Sequence, residues 1–452
     1  MLFSTNFLAT IFKDYKGAAL NDIPIQEVTT DSRKKAEKSL FVPIKGESFD
    51  GHEFIKGAFD NGAVAALWAE GVPLPSFLPN DFPVFFVKDT IQGLQTLAHE
   101  YRKNIDPVVI GVTGSNGKTT TKDLIGTVLS SHYRTHRTQG NLNNHIGLPL
   151  TILSMPRETE MLVLEMGMSQ FREIEVLSNI ALPDYGVITN IGESHIEYLG
   201  SREGIAQAKS EILAGMQADG LLLIDGDEPL LAKLKERDNV LTCGFNTDNE
   251  VVARELQMGK EDTTFLLGSE RFRLKMLGEH NVKNALFAIS IAEKLSIPKE
   301  KVRKALANLQ LTGMRFELIE GLNGATIIND AYNASPTSMK ASINVVKKMT
   351  PYDRKVLVLG DIFELGERSK GLHREVAEVI TEEIDVLLTI GHDAVEISKA
   401  VKEKGLDIEL THFNTVGDLQ QSISGFLSEG TLILLKASRG MKLEQLLEEM
   451  TN

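Results

Sequence analysis

Pro107–Lys122 reads P-V-V-I-G-V-T-G-S-N-G-K-T-T-T-K, and the fold is decided by how this stretch is read. Val108, Val109, Ile110 and Val112 form a short apolar run that predicts a buried parallel strand. The run breaks into a loop of Thr113, Gly114, Ser115, Asn116 and Gly117, and a helix is expected from about Lys118 through Thr119 and Thr120. Glycines let the backbone turn tightly, so its N–H groups can converge on phosphate oxygens. The helix N-terminus adds partial positive charge. Lys118 brings a point charge for the β- and γ-phosphates, and Thr119 a hydroxyl for Mg²⁺. A Gly-rich turn with a solvated lysine is the plainer alternative. Gly-Lys-Thr at a strand-to-helix junction favours binding of a nucleoside triphosphate.

The general phosphate loop has a glycine where this chain has Val112. The sequence here, T-G-S-N-G-K-T, resembles the T-G-x-x-G-K-T/S loop of the Mur ligase and folylpolyglutamate synthetase superfamily. That resemblance implies amide-bond formation in which ATP phosphorylates a carboxylate.

The chain has 452 residues, enough for about two to four domains with sizeable cores. It carries 48 lysines and arginines against 62 aspartates and glutamates, a net charge of −14, which argues against nucleic acid as a partner. A single cysteine, Cys243, excludes internal disulfides and cysteine-based zinc sites and fits a reducing compartment. Neither a signal peptide nor a membrane span is legible, so the expectation is a soluble, cytoplasmic protein.

Outward from the loop, three units are expected: 1–106, 107–317 and 318–452. In the first, D-S-R (Asp31, Ser32, Arg33) and the segment from Lys45-Gly46 through Phe49-Asp50-Gly51-His52 are turn chemistry when taken alone. Beside the phosphate loop they resemble the uridine-nucleotide domain of the Mur ligases. The resemblance implies that Ser32, Arg33, Lys45, Gly46, Asp50 and His52 hold the UDP end of a substrate.

The central unit alternates strands and helices, which implies a parallel sheet. Its polar loop Thr138–Pro149 contains Asn141, Asn143 and Asn144, which suit left-handed backbone and ligand hydrogen bonds equally. By resemblance they lie near the acceptor peptide. Met161–Leu164 predicts a buried strand with Glu165 at its carboxyl end, where ligands bind in open α/β sheets. A carboxylate there can share Mg²⁺ with Thr119. His195, in N-I-G-E-S-H-I-E-Y-L-G-S, matches the superfamily histidine that binds a second Mg²⁺; imidazole suits a hard cation poorly, so this role rests on the resemblance alone. Lys209, in A-K-S-E on a helix expected over 202–216, matches the lysine that several Mur ligases carry as a carbamate. Residues 240–277 read as a β-rich meander with little chemistry. Gly278–Asn284 opens a helix whose Asn281 and Asn284 resemble the adenine-side segment, although capping would explain them too. Arg315, in T-G-M-R-F-E at the end of the unit, resembles the arginine that meets the ATP phosphates.

The third unit has strand patterns at 326–329, 355–359, 386–390, 408–412 and 431–435, again a doubly wound sheet. Its first loop, N-D-A-Y-N-A-S-P-T-S-M over 329–339, resembles D-x-Y-N-A-N-P-x-S-M of the D-alanyl-D-alanine-adding branch of the family, with Ser335 replacing Asn. Asp330 and Asn333 would reach the nucleotide from the far side of the cleft. Lys436, Ser438 and Arg439 match the last substrate loop.

The fold class expected is therefore α/β in three domains: an N-terminal UDP-substrate domain, a central ATPase-like parallel-sheet domain and a C-terminal Rossmann-like domain. By resemblance the chain is a ligase using ATP and two Mg²⁺ to join D-Ala-D-Ala to UDP-MurNAc-tripeptide, with Lys118, Lys209, His195 and Arg315 as catalytic groups; a monomer is the expectation, although the sequence does not carry the oligomeric state. The competing readings are another ligase of the superfamily and a nucleotide-dependent switch. Whether lysine or diaminopimelate stands third in the stem peptide is not written in the sequence.

Overall fold

The computed structural model describes residues 1–309 and 313–451. Thr312, the first residue of the T-G-M-R-F-E stretch, lies outside the described residues.

A five-stranded sheet organises the N-terminal part, in the order Tyr15–Lys16, Val84–Val87, Ala63–Ala69, Ser39–Phe41, Glu27–Thr29. All neighbours run parallel except Tyr15–Lys16. A two-stranded ribbon, Phe3–Ser4 with Pro24–Ile25, stands beside it. Trp68, Phe41 and Phe85 are buried in its two apolar layers. The helix Thr90–Ile105 starts on Asp89, whose carboxylate accepts from Gln92 N at 2.7 Å. It then ties this part to the next: Tyr101 donates to Met155 O at 2.8 Å, and Arg102 Nε to Ala181 O at 2.9 Å.

The central sheet has nine strands. Val108–Thr113 lies between Met161–Glu165 and Tyr185–Ile188, parallel to both, and Thr135–Arg137 pairs parallel with Met161–Glu165 at the edge. The register puts Glu165 opposite Val112 and Ile188 opposite Thr113, so all three strands end at one level. Beyond Tyr185–Ile188 follow Leu221–Asp225, Val240–Gly244 and Val251–Met258, and then the antiparallel pair Thr263–Leu267 and Glu270–Leu274. The 240–277 meander thus extends the central sheet rather than standing apart. The helix Lys118–Ser130 packs beside Glu279–Lys294, which is buried nearly all round from Asn281 to Ala292. It is wedged between the loop helix and the meander, which explains why it is buried more broadly than a single apolar stripe. The helix expected over 202–216 is α-helical from Arg202 to Ser210 and continues as a 3₁₀ turn from Glu211 to Ala214.

The C-terminal sheet runs Glu317–Glu320, Thr326–Asn329, Thr431–Lys436, Arg354–Gly360, Val386–Ile390, Glu409–Phe413. Five strands are parallel, as the alternation implies, and Glu317–Glu320 is an antiparallel edge strand. Its residues E-L-I-E are largely exposed, so no buried run announces it. Backbone pairing at the sheet edge makes it a strand.

Candidate active site

The ends of the central strands open on a cleft of about 1330 Å³ whose far wall comes from the C-terminal part. Gly117 lies at φ +80° and Gly114 at φ +147°. The second value is needed for close packing: a Cβ on Gly114 would sit 1.8 Å from Thr189 Oγ1. Gly114→Ala must therefore push the Thr189 hydroxyl off Asn116 O and hold a backbone conformation that L side chains rarely adopt. Strain of about 1–3 kcal/mol predicts an affinity for ADP weaker by roughly 5- to 150-fold, read by calorimetry.

The loop is held from behind by the strand ending at Ile188. Ser115 N donates to Asn190 O at 3.1 Å, Asn116 N to Asn190 Oδ1 at 2.9 Å, and Thr189 Oγ1 to Asn116 O at 2.5 Å. Lys118 folds back over the turn and donates to Gly114 O at 2.8 Å. Its ammonium has a depressed pKa because burial strips its water; Glu165 works against that shift and Arg315 adds to it. Phosphate oxygens would supply the negative charge this lysine lacks.

Thr119 Oγ1 donates to Glu165 Oε2 at 2.8 Å, while Asn143 Nδ2 donates to Glu165 Oε1 at 2.9 Å. The carboxylate at the strand end therefore faces the loop, and the asparagine expected near a peptide also fixes this acid. Lys209 is 2 % exposed, and its ammonium makes no hydrogen bond or ion pair among the described residues. Burial, followed by repulsion from Lys118, pushes its pKa well below the ordinary lysine value. His195 lines the cleft at φ +65°, with Nδ1 2.6 Å from Glu364 Oε2 of the C-terminal part. The carboxyl of Glu364 is held low by that imidazole.

On the opposite wall, Arg315 stacks over the Tyr332 ring at 4.3 Å, and its Nε is buried without a partner among the described residues. Asp330 takes three donors: Lys436 Nζ at 2.6 Å, Ser342 Oγ at 2.6 Å and Phe316 N at 3.2 Å. Lys436 is 3 % exposed and is thus fixed by Asp330. Asn281 donates to Leu277 O at 2.8 Å, and Asn284 Nδ2 reaches Asn281 Oδ1 at 3.3 Å. A Cβ on Gly117 would meet Asn284 Oδ1 at 2.8 Å, so this pair backs directly onto the loop.

The fold thus gathers Ser115–Thr120, Glu165, His195, Arg315, Asp330 and Asn333 around one cleft, with Asn143, Asn144, Asn281, Asn284 and Lys436 on its walls. Thr113, Gly114 and Lys209 are not part of the cleft surface, and Asn141 lines neither the cleft nor the smaller hollow beside it. Ser438 and Arg439 line a smaller neighbouring hollow of about 340 Å³ that shares His195, Tyr332 and Asn333 with the cleft. Ser32, Arg33, Lys45, Gly46, Asp50 and His52 line neither cavity. Arg33 is an exposed side chain paired with Asp31 at 2.8 Å. His52 turns inward: Nδ1 is 2.6 Å from Asp50, Nε2 accepts from Ala69 N at 3.2 Å, and the ring meets Trp68 edge-on.

Several cleft residues escaped the sequence reading. Burial pushes His280 down to about 4, so it stands neutral in the cleft wall. Lys283 is paired with Asp225 at 2.9 Å and Asp227 at 2.8 Å. The meander contributes Phe245, Leu256 and Met258, an apolar wall where little chemistry is expected from sequence. Glu193, two residues before His195, accepts from Thr337 Oγ1 at 2.7 and 2.8 Å across the cleft. Its position inside N-I-G-E-S-H was the only signal available.

Three family models match in chain order: the Mur ligase family catalytic domain over residues 24–102, the Mur ligase middle domain over 112–292, and the Mur ligase glutamate ligase domain over 314–439. The UDP-N-acetylmuramoyl-tripeptide--D-alanyl-D-alanine ligase of Bacillus subtilis (strain 168) is 47% identical over 434 residues, covering 94% of this chain and 93% of the relative. Among solved structures, a crystal structure of MurF from Acinetobacter baumannii superposes with a TM-score of 0.87 at 30% identity, covering 99% of this chain and 98% of the other. MurF ligase from Thermotoga maritima in complex with ADP gives 0.83 at 30% identity, covering 95% and 97%. With its nucleotide loop, strand-end carboxylate and three matched segments in order, the chain belongs to the Mur ligase family.

Proposed function

We infer that this chain is an ATP-dependent amide ligase that joins D-Ala-D-Ala to UDP-MurNAc-tripeptide, yielding the pentapeptide precursor of peptidoglycan, ADP and phosphate. The carrying observation is the cleft in which the Lys118 loop, Glu165 and Arg315 face one another across two domains.

In the reaction a carboxylate oxygen of the tripeptide attacks the γ-phosphorus of ATP. The bond to the β-γ bridging oxygen breaks and ADP leaves, giving an acyl phosphate. The D-Ala-D-Ala amine then attacks the acyl carbon, the C–O bond to phosphate breaks, and the amine proton is lost as phosphate departs. Two anions must meet in the first step, so cancelling charge is the main task of the site. Lys118 and Arg315 both line the cleft, and neither is ion-paired to a carboxylate among the described residues. Holding the reactants in one cleft can supply roughly 7–11 kcal/mol of the barrier.

Thr119 and Glu165, two hard oxygen donors 2.8 Å apart, fit Mg²⁺. Among the described residues there is no group of three or more His, Cys, Asp or Glu that could hold a metal, which suits an ion completed by phosphate oxygens and water. Bound there, Mg²⁺ would neutralise charge developing on the β- and γ-phosphates. His195 and Lys209, the latter as a carbamate, are the groups for a second ion. Lys209 in its neutral form has a lone pair that can bond to the carbon of CO₂ with loss of one proton, turning an unpaired buried amine into an oxygen anion beside Lys118. The substrate roles of Ser32, Arg33, Lys45, Gly46, Asp50 and His52 in the N-terminal part, and of Ser438 and Arg439 in the C-terminal part, belong to the same proposal. So do the division into 1–106, 107–317 and 318–452, action as a single chain, and a cytoplasmic location. No helix among the described residues is long and apolar enough to cross a membrane.

The expected result is that phosphate appears only when UDP-MurNAc-tripeptide and D-Ala-D-Ala are both present with ATP. Sustained phosphate release from ATP alone would point to a nucleotide switch instead. Running the assay with the lysine and the diaminopimelate tripeptide separates the two stem peptides by kcat/KM.

A further inference from the structure

The last torsion of a glutamate side chain is broad, so the hydrogen bonds on its carboxylate decide where the oxygens point. Glu165 is 3 % exposed, and its backbone is fixed at the strand end, where its N–H donates to Thr138 Oγ1 at 3.0 Å. Its carboxylate has one donor on each oxygen: Thr119 Oγ1 on Oε2 at 2.8 Å and Asn143 Nδ2 on Oε1 at 2.9 Å. Both donors are neutral, and no lysine or arginine is ion-paired with this acid among the described residues. A cation arriving in the cleft therefore finds its charge unclaimed.

Thr119 cannot aim the acid by itself, because a hydroxyl turns freely and its oxygen is the other donor for the ion. The Asn143 amide is planar and is held in place. Its backbone oxygen accepts from Gly167 N at 2.8 Å. Its amide lies face-on to Gly167, where a Cβ would stand 2.9 Å from Cγ and 3.0 Å from both Nδ2 and Oδ1. Gly167 follows Glu165 by two residues, so the strand end that carries the acid also carries the surface on which the amide rests. Which way the amide faces is settled by chemistry: an ionised carboxylate only accepts, so Nδ2 must be the side turned to Glu165. Thr119, Asn143, Glu165 and Gly167 all line the cleft. The polar loop from Thr138, expected beside the acceptor peptide, thus grips the acid at two points, Thr138 on its N–H and Asn143 on its carboxylate.

We propose that Asn143 is a positioning residue for the metal site: its amide holds Glu165 Oε1 and so presents Oε2, beside the Thr119 oxygen, to a divalent cation. The proposal rests on reading Thr119 and Glu165 as the Mg²⁺ site. Hydrogen-bond partners of a ligating carboxylate set the affinity of a metal site without touching the metal.

The test is ADP affinity of the full chain by calorimetry, once in Mg²⁺ and once in EDTA. Nucleotide and ion bind as neighbours, so the gain on adding Mg²⁺ reports how well the ion is held. Asn143→Ala is expected to lose about tenfold of affinity in Mg²⁺, the lower end of such effects, and to match the parent in EDTA. Glu165→Gln loses the Mg²⁺-dependent gain as well, and Asn143→Ala adds nothing further in that background. Equal losses in Mg²⁺ and in EDTA, an unchanged affinity in both, or losses that multiply independently in the double variant each overturn the proposal. So does a raised KM for UDP-MurNAc-tripeptide with the Mg²⁺ response of the parent, which would make Asn143 a peptide contact. If Asn143→Ala does not fold, Asn143→Ser, too short to reach Glu165, takes its place. A parent protein that binds ADP equally in Mg²⁺ and EDTA overturns the metal reading, and the proposal with it.

Discussion

Lys118→Ala releases phosphate on the order of 10²–10³-fold more slowly than the parent in the presence of ATP and both other substrates, because one preorganised charge at the transferring phosphoryl group is gone. The side chain crosses its own loop to reach Gly114 O, so its removal leaves the strand and helix cores untouched. Thermal unfolding of the variant should therefore stay close to that of the parent while kcat collapses. Lys118→Arg should recover little, since a forked guanidinium does not fit a turn that closes around a compact ammonium. The pH dependence has a definite sign. In the free protein the ammonium is depressed by burial, and bound phosphate favours the charged form, so ADP affinity weakens as pH rises through the depressed value toward 10.5. Affinity that rises over this interval would mean that Lys118 does not face the phosphates. A variant with near-parent turnover would remove the basis for the ligase reading.

Lys209 carries the second large effect, and it acts in opposite directions on stability and activity. Its folded pKa lies well below its unfolded value of 10.5, so the unfolded chain binds the extra proton. Without CO₂, the stability present above pH 10.5 is lost progressively as pH falls toward the folded value. Lys209→Met removes this burden. In CO₂-free buffer at neutral pH the variant should be more stable than the parent by about 1–3 kcal/mol, the cost of burying a polar group without partners, measured as a shift in the urea midpoint. Activity should fall on the order of 10²-fold, because the site loses the anion that a carbamate would place beside Lys118. Adding bicarbonate should raise both activity and stability of CO₂-stripped parent protein and change neither in Lys209→Met. A Met variant less stable than the CO₂-free parent would show that the bare amine is well accommodated, and the carbamate proposal would fall.

Much of the site is legible in the chain because its instructions are local. The apolar run Val108–Val112, the glycines at 114 and 117 and the Lys-Thr that follows specify strand, turn and helix within a few residues. Glu165 is recognisable because a buried strand must end, and the carboxyl end of a parallel strand is where ligands meet the sheet. Other features have no local signal. The Glu317–Glu320 strand exists through pairing with Thr326–Asn329 at a sheet edge. His52 sits in a turn sequence that looks like surface chemistry, yet a ring edge against Trp68 and two hydrogen-bond partners draw it inside. Lys436 stands in a candidate substrate loop, and only the fold shows that Asp330 holds its ammonium.

The sequence by itself determined the phosphate loop, the order of the three α/β units and the strand-end acid, since hydrophobic period and glycine conformational freedom operate over neighbouring residues. Only the tertiary structure decided which residues meet across the cleft. Ser335 reaches Asn116 over 219 positions, and Thr337 reaches Glu193 over 144. The physical reason is that a hydrogen bond needs its donor within about 3 Å of its acceptor, and over such separations that distance is set by how whole sheets dock, through the burial of many side chains at once.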